Sequence, residues 1–382
     1  MTYQDVAAGF LCPLPPYFEP LFPAFRDQYR RDALFLSDER LAVLQRETEV
    51  PDGCMDQIRA VQKAVCGNDL KHMAASFYLF VTVESRKPWE NYLYAEHIFS
   101  VDGFAPESCN LLFVAYALAK TLIEKRPPKE LNQTNLDAFR GYSASCFKDI
   151  GFWGIKEFHW NMLCAGGCMF MQGALKFCPG AFTGDFPVFT NGTEYLSTVA
   201  GEYGITRYGE LASEQEEAVA HTVFEETGDY VRCNRIAKDG TVSFEPEVFS
   251  KAVWKDYLRE GTPTLDIHIP PRMDYRPDVL MDAYRKAVPF YRTFYPDHEV
   301  RAVSGYSWIF SPQLRLILKP DSHILAVMDS MHILPSTETY SSDIRFVREG
   351  SSLQARIAET ESAGRRFHFG IMYVPVTEIF PE

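Results

Sequence analysis

One short span holds most of the side chains able to do chemistry: Thr264-Leu265-Asp266-Ile267-His268-Ile269-Pro270-Pro271-Arg272-Met273-Asp274-Tyr275-Arg276-Pro277. Residues 265–269 alternate apolar and polar, the pattern of a half-buried strand. His268 therefore points away from Ile267 and Ile269, and near a strand end it could face a cleft as a general base. A satisfied, half-buried histidine fits the same pattern. The double proline stops the strand because it cannot donate ladder hydrogen bonds. Pro277 then suits the first position of a helix. A loop before a helix N-terminus offers free N–H groups to an anion, and Arg272 and Arg276 add two positive charges there. Asp274 and Asp278 compete for the same donors, so an exposed connector is the other reading of this loop. Tyr306 and Ser307 lie on the next long strand, predicted over 300–310. Either hydroxyl could hand a proton to a leaving group; ordinary strand packing is the alternative.

Other chemistries find no support. Gly305-Tyr306-Ser307-Trp308-Ile309 lacks the second glycine of a nucleophile elbow. No H-E-x-x-H helix, phosphate-binding Walker loop or G-x-G-x-x-G follows a strand. The 9 cysteines are scattered, and Cys164 and Cys168, four apart, suit neighbours on a helix better than a zinc knuckle. No metal site is expected.

These residues need elements to hold them. From about residue 38 to 160 the pattern is helical. Met55, Ile58, Val61 and Val65 form one apolar stripe. A broader apolar helix follows over 111–122 and stops before Pro127-Pro128. A third spans 136–147, with Thr134 or Asn135 as its cap and Gly151 beyond its end. Residues 169–177 read as a strand. Pro179 to Asp185 then breaks all periodicity and marks the expected domain boundary, giving residues 1–178 and 179–382. A helix is predicted over 210–224. Two short strands flank Lys238-Asp239-Gly240, a hairpin signal because such turns need positive φ. Ser250 reads as the cap of a helix ending before Gly261. A helix from Pro277 to about residue 291, the strand over 300–310, a helix after Ser311-Pro312 and a final strand over 367–373 complete the chain. The stretch 324–334 fits helix or strand. The fold class is thus α+β: a helix-rich first domain, then a domain with a mixed sheet.

Length and charge bound the rest. The 382 residues suffice for about two domains. The net charge of −13 argues against a nucleic-acid partner, which needs concentrated Lys and Arg. No basic region followed by an apolar run opens the chain, and no stretch is long and apolar enough to span a bilayer. A cytoplasmic protein with reduced thiols and no membrane partner is expected. The 14% aromatic content suits large cores or an aromatic-walled pocket for a small molecule.

Four stretches together resemble a known family. They are Gly151 to Trp160 with Gly167 to Phe177; Cys233-Asn234-Arg235-Ile236-Ala237-Lys238-Asp239-Gly240; Leu265-Asp266-Ile267-His268-Ile269-Pro270; and Ser307-Trp308-Ile309-Phe310-Ser311-Pro312-Gln313-Leu314, continuing to Ile324. Their order and spacing are similar to bacterial two-domain acyltransferases, in which a helical N-terminal domain precedes a GNAT-like C-terminal domain. The family patterns are a G-R-L-Q-F strand, an I-H-I-P strand and an S-W-L-L-D-P-x-L turn. Ala174 and Lys176 stand where the family has Arg and Gln, and Phe310 and Ser311 replace Leu and Asp.

The resemblance implies an acyl-CoA-dependent N-acyltransferase acting on a small-molecule amine. Residues 265–269 would be the central strand presenting backbone to acyl-CoA, with Ile267 and Ile269 at the cofactor. Arg272, Tyr275 and Arg276 would form the phosphate loop, and residues 300–310 the strand that splays away. His268 or Asp266 would take the amine proton, a backbone N–H near Ile269 would stabilise the oxyanion, and Tyr306 or Ser307 would protonate the thiolate. The glycine-rich phosphate motif usual in such folds is absent. That departure motivates a second reading, a non-catalytic small-molecule-binding protein on the same scaffold.

Overall fold

The computed structural model describes the chain except residues 32, 34, 86–96, 272, 345–346 and 382. Arg272, one of the two expected phosphate-loop arginines, therefore lies outside the described residues. The chain divides into two compact units, Met1–Met171 and Gln172–Glu382.

The first unit is helical. Helix α1 (Asp52–Cys66) buries Met55, Ile58, Val61 and Val65 completely along one stripe, as the spacing predicts. Helix α2 (Pro106–Lys120) carries apolar residues all round and is buried along most of its length. It continues into a π-helical turn, Thr121–Lys125, before the double proline. Helix α3 (Lys129–Ile150) starts directly after Pro128, earlier than expected. Neither Thr134 nor Asn135 caps it. The buried Asn135 amide instead donates to the carbonyls of Cys164 and Met169, at 3.1 and 2.9 Å. Gly151, at φ +82°, closes the helix in the left-handed region. Aromatic side chains fill this core: Phe18 and Phe22 meet Phe77 edge-on, with centroids 5.8 and 5.3 Å away.

The second unit is built on a mixed sheet. The strand expected over 169–177 is two strands, Phe170–Gln172 and β1 (Leu175–Ala181), turned by Gly173 at φ +60°. Pro179-Gly180 lies inside β1, so the residues expected to break the chain are laddered to a neighbour. The division falls upstream, between Met171 and Gln172. Strand β2 (Pro263–His268) pairs antiparallel with β1 and parallel with β3 (Ala302–Ser307). Strand β5 (Phe367–Pro375) follows β3 antiparallel, with β4 (His332–Tyr340) beyond it. Helix α4 (Pro277–Phe294) has Pro277 at its first turn. It buries Leu280, Ala283, Tyr284, Ala287, Val288 and Tyr291. It packs on the sheet face carrying Phe177 and Leu265, where Tyr284 meets Phe177 edge-on and the Tyr291 hydroxyl donates to the Phe177 carbonyl. Short strands Val188–Thr190, Tyr195–Thr198, Arg235–Ile236 and Lys255–Leu258 form a second sheet. Its apolar residues share a core with Ala302, Leu334 and Tyr373.

Two expected helices are not helices. Residues 210–224 form turns and short strands, Ala220–His221 and Phe224–Glu226. A polar side chain there binds backbone locally, as Glu216 Oε2 accepts from the Ser213 N–H at 3.1 Å, and Thr222 Oγ1 reaches the distant Tyr203 N–H at 2.8 Å. Such bonds compete with helix formation. Ser250 ends the strand Glu247–Ser250, and Lys255–Leu258 follows as another. Strand partners at Tyr230–Cys233 and Val188–Thr190 override the helical spacing. The hairpin at Asp239-Gly240 is present, with Gly240 at φ +95° and Ile236 bridged to Val242. The strand expected over 300–310 ends at Ser307 and passes into a 3-10 turn, Trp308–Phe310. The helix expected after Ser311 is a short 3-10 segment, Pro312–Leu316. The ambiguous stretch is both: a helix, His323–Asp329, and then β4.

The fully buried stripe of α1 yields a direct test. Ile58→Ala should cost about 2–5 kcal/mol, read as a lower urea midpoint with an unchanged slope.

Candidate active site

The ladder between β2 and β3 is short. It pairs Thr264 with Ala302, Leu265 with Val303 and Asp266 with Ser304, and there it stops. Both strands continue. Strand β2 stays laddered to β1 as far as His268 opposite Lys176, and β3 to β5 as far as Ser307 opposite Gly370. The two parallel neighbours therefore part beyond Asp266 and Ser304, each held by its outer partner. Gly305 belongs to this geometry: a Cβ there would stand 2.8 Å from Ile267 Cγ1 and 3.3 Å from Phe310 Cε2. Pro270 and Pro271 follow directly and supply no donor to resume the ladder.

Strand alternation sorts the side chains. Thr264, Asp266 and His268 share one face with Ser304 and Tyr306 of β3. Leu265 and Ile267 point to the α4 face. Asp266 stands at the last paired position. Its Oδ1 accepts from Ser304 Oγ at 2.6 Å and from Thr264 Oγ1 at 3.4 Å. Its Oδ2 lies against Gly180, where a Cβ would come within 2.1 Å. Removal from water pushes the Asp266 carboxyl up to about 6, and the two hydroxyls only partly offset this. His268 shifts the other way, to about 4, because it is desolvated and faces the Lys176 ammonium across the β1 pairing. Near neutral pH the site thus holds a neutral imidazole and a carboxylate whose basicity is raised. The buried His298, on the chain leading into β3, fixes the start of β2: its Nε2 bonds the Thr264 carbonyl at 2.7 Å.

Tyr306 is half-exposed and stacks on Phe369 at 5.2 Å. Its hydroxyl donates to Glu338 Oε2. Desolvation, then that carboxylate, raise its pKa, so the phenol keeps its proton. Ser307 faces the other side. Its Oγ accepts from the Ile309 N–H at 3.4 Å and caps the 3-10 turn. Tyr306 and Ser307 thus bring two hydroxyls to one strand end but not to one face.

In the loop into α4 the two carboxylates read from the sequence as competitors for an anion's donors hold the arginine. Arg276 is the N-cap residue of α4 and is exposed. Its Nε donates to Asp274 Oδ2 at 2.9 Å, and Asp278 Oδ2 lies 3.7 Å from its Nη1. Both carboxylates occupy the guanidinium. Tyr275 turns its hydroxyl inward, where it and the Tyr284 hydroxyl are buried without a hydrogen-bond partner among the described residues. Burial raises both phenols, Tyr275 well above the ordinary range.

A central strand, a neighbour whose ladder with it ends early and a helix that follows the central strand are the elements where the resemblance would place a cofactor. Residues 203–367 match the model of the GNAT-like C-terminal domain family. The second unit carries a GNAT-like C-terminal domain. No curated protein matches the sequence. Among solved structures, an acyltransferase in complex with decanoyl-CoA is similar over 98% of this chain and 99% of its own, with a TM-score of 0.53 at 17% identity. A mutant acyltransferase in complex with octanoyl-CoA gives 0.54 at 16%, over 98% of this chain and 99% of that one. An acyltransferase in complex with decanoyl-CoA and teicoplanin gives 0.53 at 16%, with the same coverage. At these identities the likeness is one of fold. It extends through the helix-rich N-terminal unit as well as the GNAT-like domain.

Within the second unit, sequence reasoning missed Ser304, Gly180 and Gly305. Ser304 alternates with Tyr306 in β3, which was a signal of a shared face. The two glycines act only through cross-strand register, which no local pattern reveals. Among the described residues no three His, Cys, Asp or Glu side chains gather as metal ligands do.

The raised Asp266 carboxyl makes stability depend on pH. Its pKa is higher folded than unfolded, so its contribution is present below the unfolded carboxylate range and is lost as pH rises through about 6. Asp266→Asn imitates the protonated form. Relative to wild type it should gain roughly 2–3 kcal/mol between about pH 4 and about pH 7.5. Urea unfolding at both pH values measures this, and a pH-independent difference contradicts the buried carboxyl.

Proposed function

We propose that this protein is an N-acyltransferase that moves an acyl group from acyl-CoA to an amine of a small-molecule acceptor. The observation that carries the reading is the parting of β2 and β3 beyond Asp266, with a desolvated carboxyl and imidazole at the fork. Peptide groups that no longer continue a ladder can pair with an extended ligand, as a strand edge does with a peptide. Pantetheine carries two amides suited to that role. The structural neighbours bound to octanoyl-CoA and decanoyl-CoA support a medium-length acyl donor. Teicoplanin in a neighbour that also holds decanoyl-CoA supports a small-molecule acceptor.

The chemistry follows from the residues. The acceptor nitrogen attacks the thioester carbon, and a C–N bond forms as the C–S bond breaks. The nitrogen must lose a proton. Asp266 is the better-matched base, since a carboxyl at about 6 stands nearer working pH than an imidazole at about 4. His268, neutral, orients the amine or a relaying water. A backbone N–H near Ile269 holds the developing oxyanion, an interaction typically worth about a hundredfold or more in rate. The departing thiolate takes a proton from Tyr306, which shares the Asp266 face, whereas Ser307 points to the other side. At the phosphates, free N–H groups of the first turn of α4 act with Arg276 and Arg272. Arg276 must then exchange Asp274 and Asp278 for phosphate oxygens.

That exchange is the observation favouring the second reading, a non-catalytic binding protein. Cysteines that are all buried or half-buried suit work in the cytoplasm, where CoA is available. No helix among the described residues is long and apolar enough to cross a membrane.

Titration calorimetry with decanoyl-CoA, followed by thiol release in the presence of a panel of small amines, tests the proposal. Asp266→Ala and His268→Ala should each keep the dissociation constant within about threefold. Turnover should fall by about a hundredfold or more in Asp266→Ala and less in His268→Ala. No heat at millimolar acyl-CoA contradicts the transferase reading. Binding without thiol release from any amine favours the binding protein.

A further inference from the structure

We propose that the N-terminal unit carries a separate binding site for a small aryl carboxylate, with the acid group held by Arg30 and Arg40. This inference is independent of the acyl-transfer reading. A cavity of about 210 Å³ opens within the first unit. Phe25, Tyr29, Phe80 and Tyr116 are among the rings that wall it, and both arginines line it. The Tyr29 hydroxyl is committed to His72 Nδ1 at 2.7 Å, so the cavity meets an aromatic wall there.

The backbone marks the same place. The helix Asp69–Leu79 widens into a π-helical turn, Phe80–Glu84, and α2 widens into Thr121–Lys125. π-helical turns are poorly stable locally and recur at functional sites. Here the two are tied together by charge. Glu84 Oε1 accepts from the Tyr116 hydroxyl at 2.6 Å, and Glu84 Oε2 takes the Lys120 ammonium. Lys120 also faces Glu124 at 3.6 Å, and Glu124 faces Arg40 at 3.3 Å. The Arg40 guanidinium lies over the Tyr116 ring, 5.4 Å from its centroid.

This wiring decides the sign of the ligand. Glu84 lines the cavity, but Lys120 and Tyr116 occupy both its oxygens. Glu124 is shared between Lys120 and Arg40. Arg30 is exposed and has no ion pair among the described residues. Among the described residues three cations, Arg30, Arg40 and Lys120, thus stand against two carboxylates, Glu84 and Glu124, in a chain whose net charge is −13. A guanidinium presents parallel N–H donors that match a carboxylate in two-point fashion. Aromatic walls accept a flat ring edge-on or offset. An arylammonium would meet the same rings but two arginines at the mouth.

The test uses the full chain and fluorine NMR with 4-fluorophenylacetate as probe. Neutral 4-fluorobenzyl alcohol and cationic 4-fluorobenzylamine serve as comparisons. The wild type should bind the acid saturably, and each comparison at least about tenfold more weakly. Arg30→Gln, an exposed change, should weaken the acid about tenfold while leaving the melting temperature unaltered. Arg30→Lys should fall between them, because it keeps charge and loses the fork. No saturable binding by the wild type, equal binding to Arg30→Gln, or preference for the alcohol or amine would overturn the proposal.

Discussion

The architecture of the second unit depends on where one strand ladder ends. Strands β2 and β3 are parallel neighbours, and parallel neighbours in a sheet ordinarily stay paired along their shared length. Here they stop at Asp266 and Ser304. Separation does not unravel either strand, because β1 and β5 continue to satisfy the outer edge of each. Two glycines let the surroundings close around the fork. Gly305 leaves room for Ile267 to lean across. Gly370 lets the turn after β3 pass over β5, where a Cβ would come within 2.0 Å of the Phe310 carbonyl oxygen. The fork is therefore packed into place by its own flanks.

The same fork sets the electrostatics. A carboxyl and an imidazole two residues apart on one strand would ordinarily ionise in overlapping ranges. Burial moves them toward opposite forms: the carboxyl becomes harder to ionise and the imidazole harder to protonate. Lys176 reinforces the second effect from the neighbouring strand. Ser304 limits the first, since its hydroxyl stabilises the carboxylate. The outcome is a basic group and a neutral hydrogen-bonding group two residues apart on one strand face near neutral pH.

How legible this was differs by element. The strand at 265–269, the helix from Pro277 and the last strand were readable because alternation or periodicity, caps and breakers all agree there. The segment 210–224 misled because its Ala, Glu and Gln suit a helix, while Glu216 takes the Ser213 N–H in a turn and Thr222 bonds the distant Tyr203 N–H. The stretch after Ser250 misled because its strand partners lie far away in sequence. At the site, His268 was legible from strand position, and Asp266 and the splayed strand from family resemblance. Ser304 and Gly180 were not, since their roles arise only when register sets them beside Asp266. The acidic neighbours of Arg276 were visible from the start, and the structure shows them occupying its guanidinium.

The central claim is that acyl-CoA lies where β2 and β3 part. Isoleucine δ-methyl NMR of the full chain during a decanoyl-CoA titration tests this most directly. The Ile267 and Ile269 methyls should shift and saturate together, while Ile58, sealed in the helical core, stays in place. Saturable binding that leaves Ile267 and Ile269 unmoved would contradict the account.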